Sequence, residues 1–385
     1  MKTRREFLKR FALLGAVATL PIRSLWADNP LTPKPVGDGL ATISHSKELN
    51  RTKTPRKITI PDVGEFKVLK GDFHIHTLFS DGHVMPRDRV LEAVDNGLDV
   101  IAITDHIEYR PNIGSKMLPL AEKNDDHNIA YDFAKAEAEK QKLILVRGTE
   151  ITKSEWHFNA LFVQDVNPIA AAVDDWQKML AVSVEQGGFN HWNHPSWIDR
   201  TPDAAPFGLK RGEPMRFFDE IEEVRAKGLL HGIEVFNGTS FYPIALDWCN
   251  ERDLAPVTVT DIHQSDWNTY GHQNPLRPMT LVFAKDRSYE SVREAFFAKR
   301  IVGWAANMIL GRQPWVEKLF RSCVEIKKVG NGLALQNLSD IPCLFGVNEK
   351  VQELPAKGAL ELAASNKLTV ANWFVGMKKP LEVVL

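Results

Sequence analysis

The sequence predicts an α/β chain, with a large domain of alternating strands and helices followed by a small β-rich domain. Three observations lead there. Short apolar runs of β-type composition alternate with longer stretches of helical spacing, which implies a parallel sheet, closed or open. His and acidic residues recur just after those runs, where catalytic groups of such sheets collect. Beyond about Lys318 the pattern changes to short alternating runs at 323–326, 333–338, 359–362 and 368–374, which read as strands.

Taken in order, residues 70–77 form the first strand and its exit, KGDFHIHT. Residues 86–96 have helical spacing, with Val90, Leu91 and Val94 on one face and Gly97 as a stop. A strand at 100–106 follows, then a non-periodic segment at 109–124 carrying Pro111, Gly114 and Pro119. A loop of that length beside a site is more often functional than idle. Residues 125–142 are a helix rich in Ala, Glu and Lys. Strands are expected at 143–150 and 156–163, then one helix over 168–186 with Trp176, Met179 and Leu180 inward. The run 187–195 is a strand and its exit, followed by a Pro-rich loop to Pro214. Helices at 217–227, 241–252 and 289–299 alternate with strands at 232–237, 256–260 and 279–284. No repeat of fixed period is evident.

The chemistry begins at 71–82, GDFHIHTLFSDG. Alternation along a strand puts His74 and His76 on one face, about 7 Å apart, a poor core and a good metal cradle. Asp81 lies in a Ser-Asp-Gly turn able to fold back towards them; His83, two residues on, competes for that place. Further along, His106 ends Thr-Asp-His, Glu150 ends Gly-Thr-Glu, His157 lies just beyond, and His194 precedes Pro195. Asp261 and His263 repeat the same-face spacing of His74 and His76. Any one of these alone reads as easily as a core histidine; their recurrence at one structural place does not.

From about Lys70 to about Asn307 this set resembles the PHP family, named for its polymerase and histidinol phosphatase members. H-x-H with S-D-G, T-D-H, G-x-E, H-P and D-x-H occur in the family's order. The resemblance implies a distorted (β/α)7 barrel with two or three metals at its mouth. It makes His74, His76, Asp81, His106, Glu150, His157, His194, Asp261 and His263 the candidate ligands. Nine donors exceed what one ion takes, so two or three divalent ions (Zn, Mn or Fe) are expected, with Glu150 as the bridge. His191 competes with His194, and is otherwise a pocket residue and candidate proton donor or a structural histidine. Asp261 and His191 are the expected catalytic groups. Arg110, His191 and His272 are the expected substrate contacts.

Composition narrows the partners. The 385 residues carry 48 Lys and Arg against 49 Asp and Glu, a net charge of −1, so no polyanion-binding surface is indicated and nucleic acid is not an expected partner. The N-terminus reads Thr3-Arg4-Arg5-Glu6-Phe7-Leu8-Lys9 before an apolar run at 11–20, and resembles a twin-arginine export signal. That run is half the ~20 residues a spanning helix needs, which favours a cleaved leader over an anchor. The expected organisation is a leader at 1–27, a Pro- and Thr-rich linker at 28–57, the metallohydrolase domain at 58–317 and the β-rich domain at 318–385. Export through the twin-arginine machinery to the periplasm or medium follows, with no stable membrane anchor after cleavage. Cys249, Cys323 and Cys343 form no C-x-x-C site; Cys323 and Cys343 pair or remain buried thiols.

No G-x-S-x-G and no P-loop is present, so the metals are expected to supply the chemistry, through a metal-activated water at a di- or trinuclear site. The first expectation is a phosphodiesterase acting on a small-molecule phosphoester. The second is a carbamate, ester or amide hydrolase on the same site, and the third a non-catalytic metal-binding protein. Trp192, Trp197, Tyr242 and Trp267 point to a ring-bearing substrate or simply to packed loops.

Overall fold

The computed structural model describes residues 55–119, 126–153, 156–195, 216–270, 276–347 and 350–385. The expected leader and most of the linker, together with His272 and Trp197, lie outside the described residues.

The first half alternates as the sequence predicts: β1 (Lys67–Asp72), α1 (Pro86–Asp95), β2 (Val100–Ile103), α2 (Ile129–Gln141) and β3 (Ile144–Ile151). Pro86 opens α1, where its missing N–H costs nothing. Then come β4 (Phe158–Leu161), α3 (Asn167–Ala170), α4 (Trp176–Glu185) and β5 (Phe189–Trp192). The single helix expected over 168–186 is two. Asp175 leaves the helical region at φ −138° and its carboxylate accepts from the backbone N of Gln177 and Lys178, which starts a new helix. After α5 (Asp219–Ala226), β6 (Gly232–Asn237), β7 (Ser240–Phe241), α6 (Pro243–Glu251) and β8 (Ala255–Val259), the chain forms the short α7 (Asp266–Tyr270) and then β9 (Met279–Ala284). The remainder is α8 (Tyr289–Phe297), β10 (Ile301–Ala305), β11 (Met308–Gly311), α9 (Gln313–Cys323), β12 (Val324–Val329), β13 (Gly332–Asn337), β14 (Cys343–Val347), β15 (Lys350–Leu354), β16 (Ala359–Ala363), β17 (Lys367–Gly376) and β18 (Lys379–Val384).

The fold is mixed α/β around one large sheet, ordered β15-β14-β17-β11-β10-β9-β1-β2-β3-β4-β5-β6-β7, with β8 on β6 and β18 on β17. Where the sequence implies a distorted (β/α)7 barrel, the described strands form a ladder of mixed direction in which no closed sheet is seen. β4 runs antiparallel to both β3 and β5. β9 runs antiparallel along residues 67–71 of β1 and takes the edge that closure would need. Only the residues beyond Asp72 remain for β8's exit. They make one isolated bridge, Ile75 to Ile262, through His76 N to Ile262 O (3.1 Å) and Asp261 N to His74 O (2.9 Å).

Where β8 faces β9, side chains replace the ladder: Thr280 Oγ1 accepts from Thr258 N and donates to Thr258 O. Gly303 on β10 lies so close to Thr258 that an added Cβ would overlap its side chain, so only glycine fits. The β-rich end joins the same sheet, with β17 parallel to β11. Trp373 of β17 is fully buried in one apolar cluster with Val302, Ile309 and Phe320. β12, β13 and β16 form a separate three-stranded sheet. All three cysteines are free and buried. Among the described residues no helix is long and apolar enough to cross a membrane.

Candidate metal centre

The candidate ligands gather at one end of the strands: Glu150 is the last residue but one of β3, His157 immediately precedes the antiparallel β4, and the others stand just past a strand end or in the turn beside it. The exit of β1 is gripped on both sides: Ile75 exchanges hydrogen bonds with Thr104 after β2, while His74 and His76 bond the backbone after β8. His106 and Glu150 are brought side by side by an isolated parallel bridge, with Ile107 N donating to Glu150 O (3.1 Å). Gly82 makes the Ser-Asp-Gly turn fit, because a Cβ there would lie 2.7 Å from the carbonyl carbon of His76. The turn carries Asp81 into the cluster and leaves His83 exposed.

All nine expected side chains come together, in three overlapping groups. In the first, the Nε2 atoms of His74 and His76 approach to 3.0 Å. Glu150 Oε2 lies 3.2 and 3.1 Å from them, and Asp261 Oδ1 also 3.2 and 3.1 Å. In the second, Glu150 Oε1 faces His157 Nδ1 at 3.1 Å and His194 Nε2 at 3.5 Å. The third joins Asp81 to His263 Nε2 (3.2 Å), His76 Nδ1 (3.5 Å) and His106 Nε2 (3.6 Å). Glu150 therefore turns one oxygen to each of the first two groups. His194 and Asp261 both sit at positive φ, +25° and +53°, which non-glycine residues adopt at a cost and which clusters at functional sites.

Charge at the centre is opposed by burial and restored by neighbours. Burial disfavours the imidazolium of His74, but Asp261, Glu150 and Glu234 outweigh it and raise its pKa well above the ordinary value. His76 rises to about 9 against the same penalty, through hydrogen bonds and attraction from Asp261 and Glu150. Burial wins at His106, which falls to about 4. Burial would also raise Glu150 and Asp261, yet the surrounding histidines hold both well below the carboxylate range. Converging nitrogens and carboxylate oxygens of this kind fit a hard-to-borderline divalent cation. Asp261 Oδ1 and His106 Nδ1 make the same point: both are buried and have no hydrogen-bond partner among the described residues.

The expected substrate contacts fare differently. His191 is fully buried, with Nε2 3.4 Å from Glu234 Oε1, and is not on the wall of the cleft. Arg110 turns away, Nε donating to the Phe79 carbonyl (3.2 Å) and Nη1 lying 3.4 Å from His127 Nδ1. The cleft itself, about 410 Å³, is walled by Tyr109 and Thr152 together with the ligands Asp81, His106, Glu150, His157, His194, Asp261 and His263. Trp192 is 1% exposed and stacked on Trp248, and Tyr242 is buried; Trp267 is exposed.

Several supports were not anticipated. Glu234 of β6 accepts from His74 Nδ1 (2.7 Å), and Asn193 Nδ2 donates to Glu150 Oε1 (3.0 Å). Asp105 accepts from the backbone N and hydroxyl of Thr77 and from Ser80 Oγ. Arg89, buried on α1, donates to the carbonyls of His76, Ile262, His263 and Gln264, tying the exits of β1 and β8 together. Beneath them Arg277 bridges Asp72 and Asp266. An acid inside the apolar run GIEVFN was the one available signal for Glu234.

Residues 72–190 match the model of the PHP domain. A two-domain protein from Bacteroides vulgatus, described as containing a predicted PHP-like metal-dependent phosphoesterase, is similar along nearly its whole length. It is 31% identical with a TM-score of 0.75, over 87% of this chain and 99% of that one. The chain belongs to the PHP family. Two other structures align more weakly with this PHP protein. One is a putative metal-dependent phosphoesterase from Bifidobacterium adolescentis (18% identity, TM-score 0.39, 54% of this chain and 90% of that one). The other is an amidohydrolase from Chromobacterium violaceum (15%, 0.35, 50% and 87%). No curated protein matches.

Proposed function

We propose that this PHP protein is a metal-dependent phosphoesterase, acting on phosphodiesters of small molecules in preference to monoesters. The observation that carries the reading is Glu150, whose two oxygens face two separate groups of ligands at the floor of an open cleft. His74, His76, Glu150 and Asp261 would hold one ion, and Glu150, His157 and His194 a second. Asp81, His106 and His263 would hold a third, with His76 shared. Divalent ions there supply a lowered pKa for water, polarisation of the scissile group and charge for both attacking and leaving oxygens.

The chain's own groups orient and move protons. Asp261 stands at the floor, 20% exposed, with Oδ1 unsatisfied and Oδ2 3.3 Å from Asn237 Nδ2, so it can orient a water and accept its proton. His263, one-third exposed, is the histidine of the cleft best reached by a leaving group. The described wall carries no Lys or Arg. A monoester brings one more negative charge than a diester, and nothing described there meets it; this supports the preference. The same wall favours a second reading, hydrolysis of a neutral carbamate, ester or amide. Metal-reconstituted protein assayed on phosphodiesters, phosphomonoesters and aryl esters separates the two. Diester hydrolysis, lost on chelation and restored by Zn²⁺ or Mn²⁺, is the expected result. Higher kcat/KM on monoesters or aryl esters overturns the diesterase reading.

We also propose twin-arginine export, supported by Arg4 and Arg5 before the apolar run at 11–20. Replacing both by Lys should retain precursor in the cytoplasm; normal export of that variant rejects the route.

A further inference from the structure

We infer that Glu234 is the positioning residue that sets the first two ligand groups as one unit. The inference rests on the metal-dependent reading above. Glu234 lies in the middle of β6, fully buried, and no Lys or Arg pairs with it among the described residues. A carboxylate placed so is costly unless each oxygen is satisfied. Its satisfaction comes from the metal centre itself. Oε1 accepts from His74 Nδ1 at 2.7 Å; Oε2 accepts from the backbone N of His194 at 2.6 Å and from Asn237 Nδ2 at 2.9 Å.

Three consequences follow from those bonds. Because Glu234 accepts the hydrogen bond from His74 Nδ1–H, Nε2, the nitrogen beside Glu150 and Asp261, is the one left to bind a cation. The bond to His194 N holds a pre-proline residue at φ +25°, a conformation its own sterics oppose. Asn237, anchored by Glu234, reaches Asp261 Oδ2 at 3.3 Å. One side chain thus fixes a ligand of the first group, the backbone of a ligand of the second, and the partner of Asp261. The three donors explain the acid: glutamine has one acceptor oxygen, so either His74 Nδ1–H or His194 N–H would face an NH₂ group. Aspartate is one methylene too short to span both.

The test uses full-length protein stripped by chelator, then titrated with Zn²⁺ against a chromophoric competitor, and in parallel loaded with Co²⁺ for its absorption spectrum. Glu234→Gln should weaken two sites together by about 10–100-fold and alter the Co²⁺ bands, leaving a site that depends on Asp81 unchanged. Asn237→Ala should give a smaller loss, confined to the site that depends on Asp261. Circular dichroism of the metal-free variants checks folding. If Glu234→Gln does not fold, Glu234→Asp, which keeps the charge, decides by the same two readings. A folded variant whose Zn²⁺ affinities stay within about threefold of the parent, with the same Co²⁺ spectrum, overturns the inference. Parent protein that takes up no Zn²⁺ overturns the functional reading, and the inference with it.

Discussion

At the scale of single residues, the centre is a set of acids and imidazoles whose ligating atoms lie within 4.8 Å of one another in each of three groups. Glu150 is the clearest case. Glu150→Ala should lose more than one ion per chain at once, by elemental analysis, because both of its oxygens face ligands. Loss of a single ion would make it a terminal ligand. The same contacts give the metal-free protein an unusual pH response. Groups raised on folding, such as His74 and His76, contribute stability in full below the unfolded histidine value of about 6.5 and lose it as pH climbs through the folded value, about 9 for His76. Groups depressed on folding, Glu150, Asp261 and Glu234, contribute above about 4.5 and lose it in acid. Burial lowers His106, His191 and His231, so these lose stability as pH falls below about 6.5; metal-free protein should therefore melt highest near about pH 6.5 and lower at both about pH 9 and about pH 4.5. Metal-loaded protein should not fall between about pH 6.5 and about pH 9, since bound cations replace the protons. Equal slopes in the two forms would contradict this. The nine clustered residues were legible because eight follow a short apolar run or sit in the turn beside it, and His157 opens the run after Glu150. Glu234 was not, because one acid within a buried strand carries no spacing signal and its partners are 160 and 40 positions away.

At the scale of elements, most strands and helices stand where apolar periodicity puts them. Direction was not legible. Nothing in the sequence of β4 or β9 marks it as antiparallel, since side-chain alternation is the same either way. The break between α3 and α4 was written in Asp175, a good N-cap inside what otherwise reads as one amphipathic run. The exits that carry the site are held by buried ions, and this is testable. Arg277→Met leaves Asp72 and Asp266 without their shared partner and should destabilise the protein by about 3–5 kcal/mol in urea unfolding, as breaking a buried pair does. A change under 1 kcal/mol would mean the two acids are satisfied otherwise.

At the scale of the molecule, the β-rich end and the region bearing the metal centre share a sheet and an apolar cluster. A chain ending at Cys323 would bare the edge of β11 and the apolar surface that Trp373 covers, and should be insoluble or aggregate. A monomeric, metal-binding fragment by gel filtration would show that the end is dispensable. The N-terminal half alone cannot complete the centre, because the exit of β1 is closed by residues after β8; Asp72 and Thr260 meet 188 positions apart. That distance has a consequence for biosynthesis. A nascent chain presents His74 and His76 long before Asp261, and β1 keeps one edge bare until β9 has left the ribosome. Until then the early histidines offer an incomplete ligand set, open to whatever borderline cation is abundant in that compartment. The finished centre is therefore expected to take its metal from the compartment in which the last third of the chain folds, which the metal content of protein folded in each compartment would check.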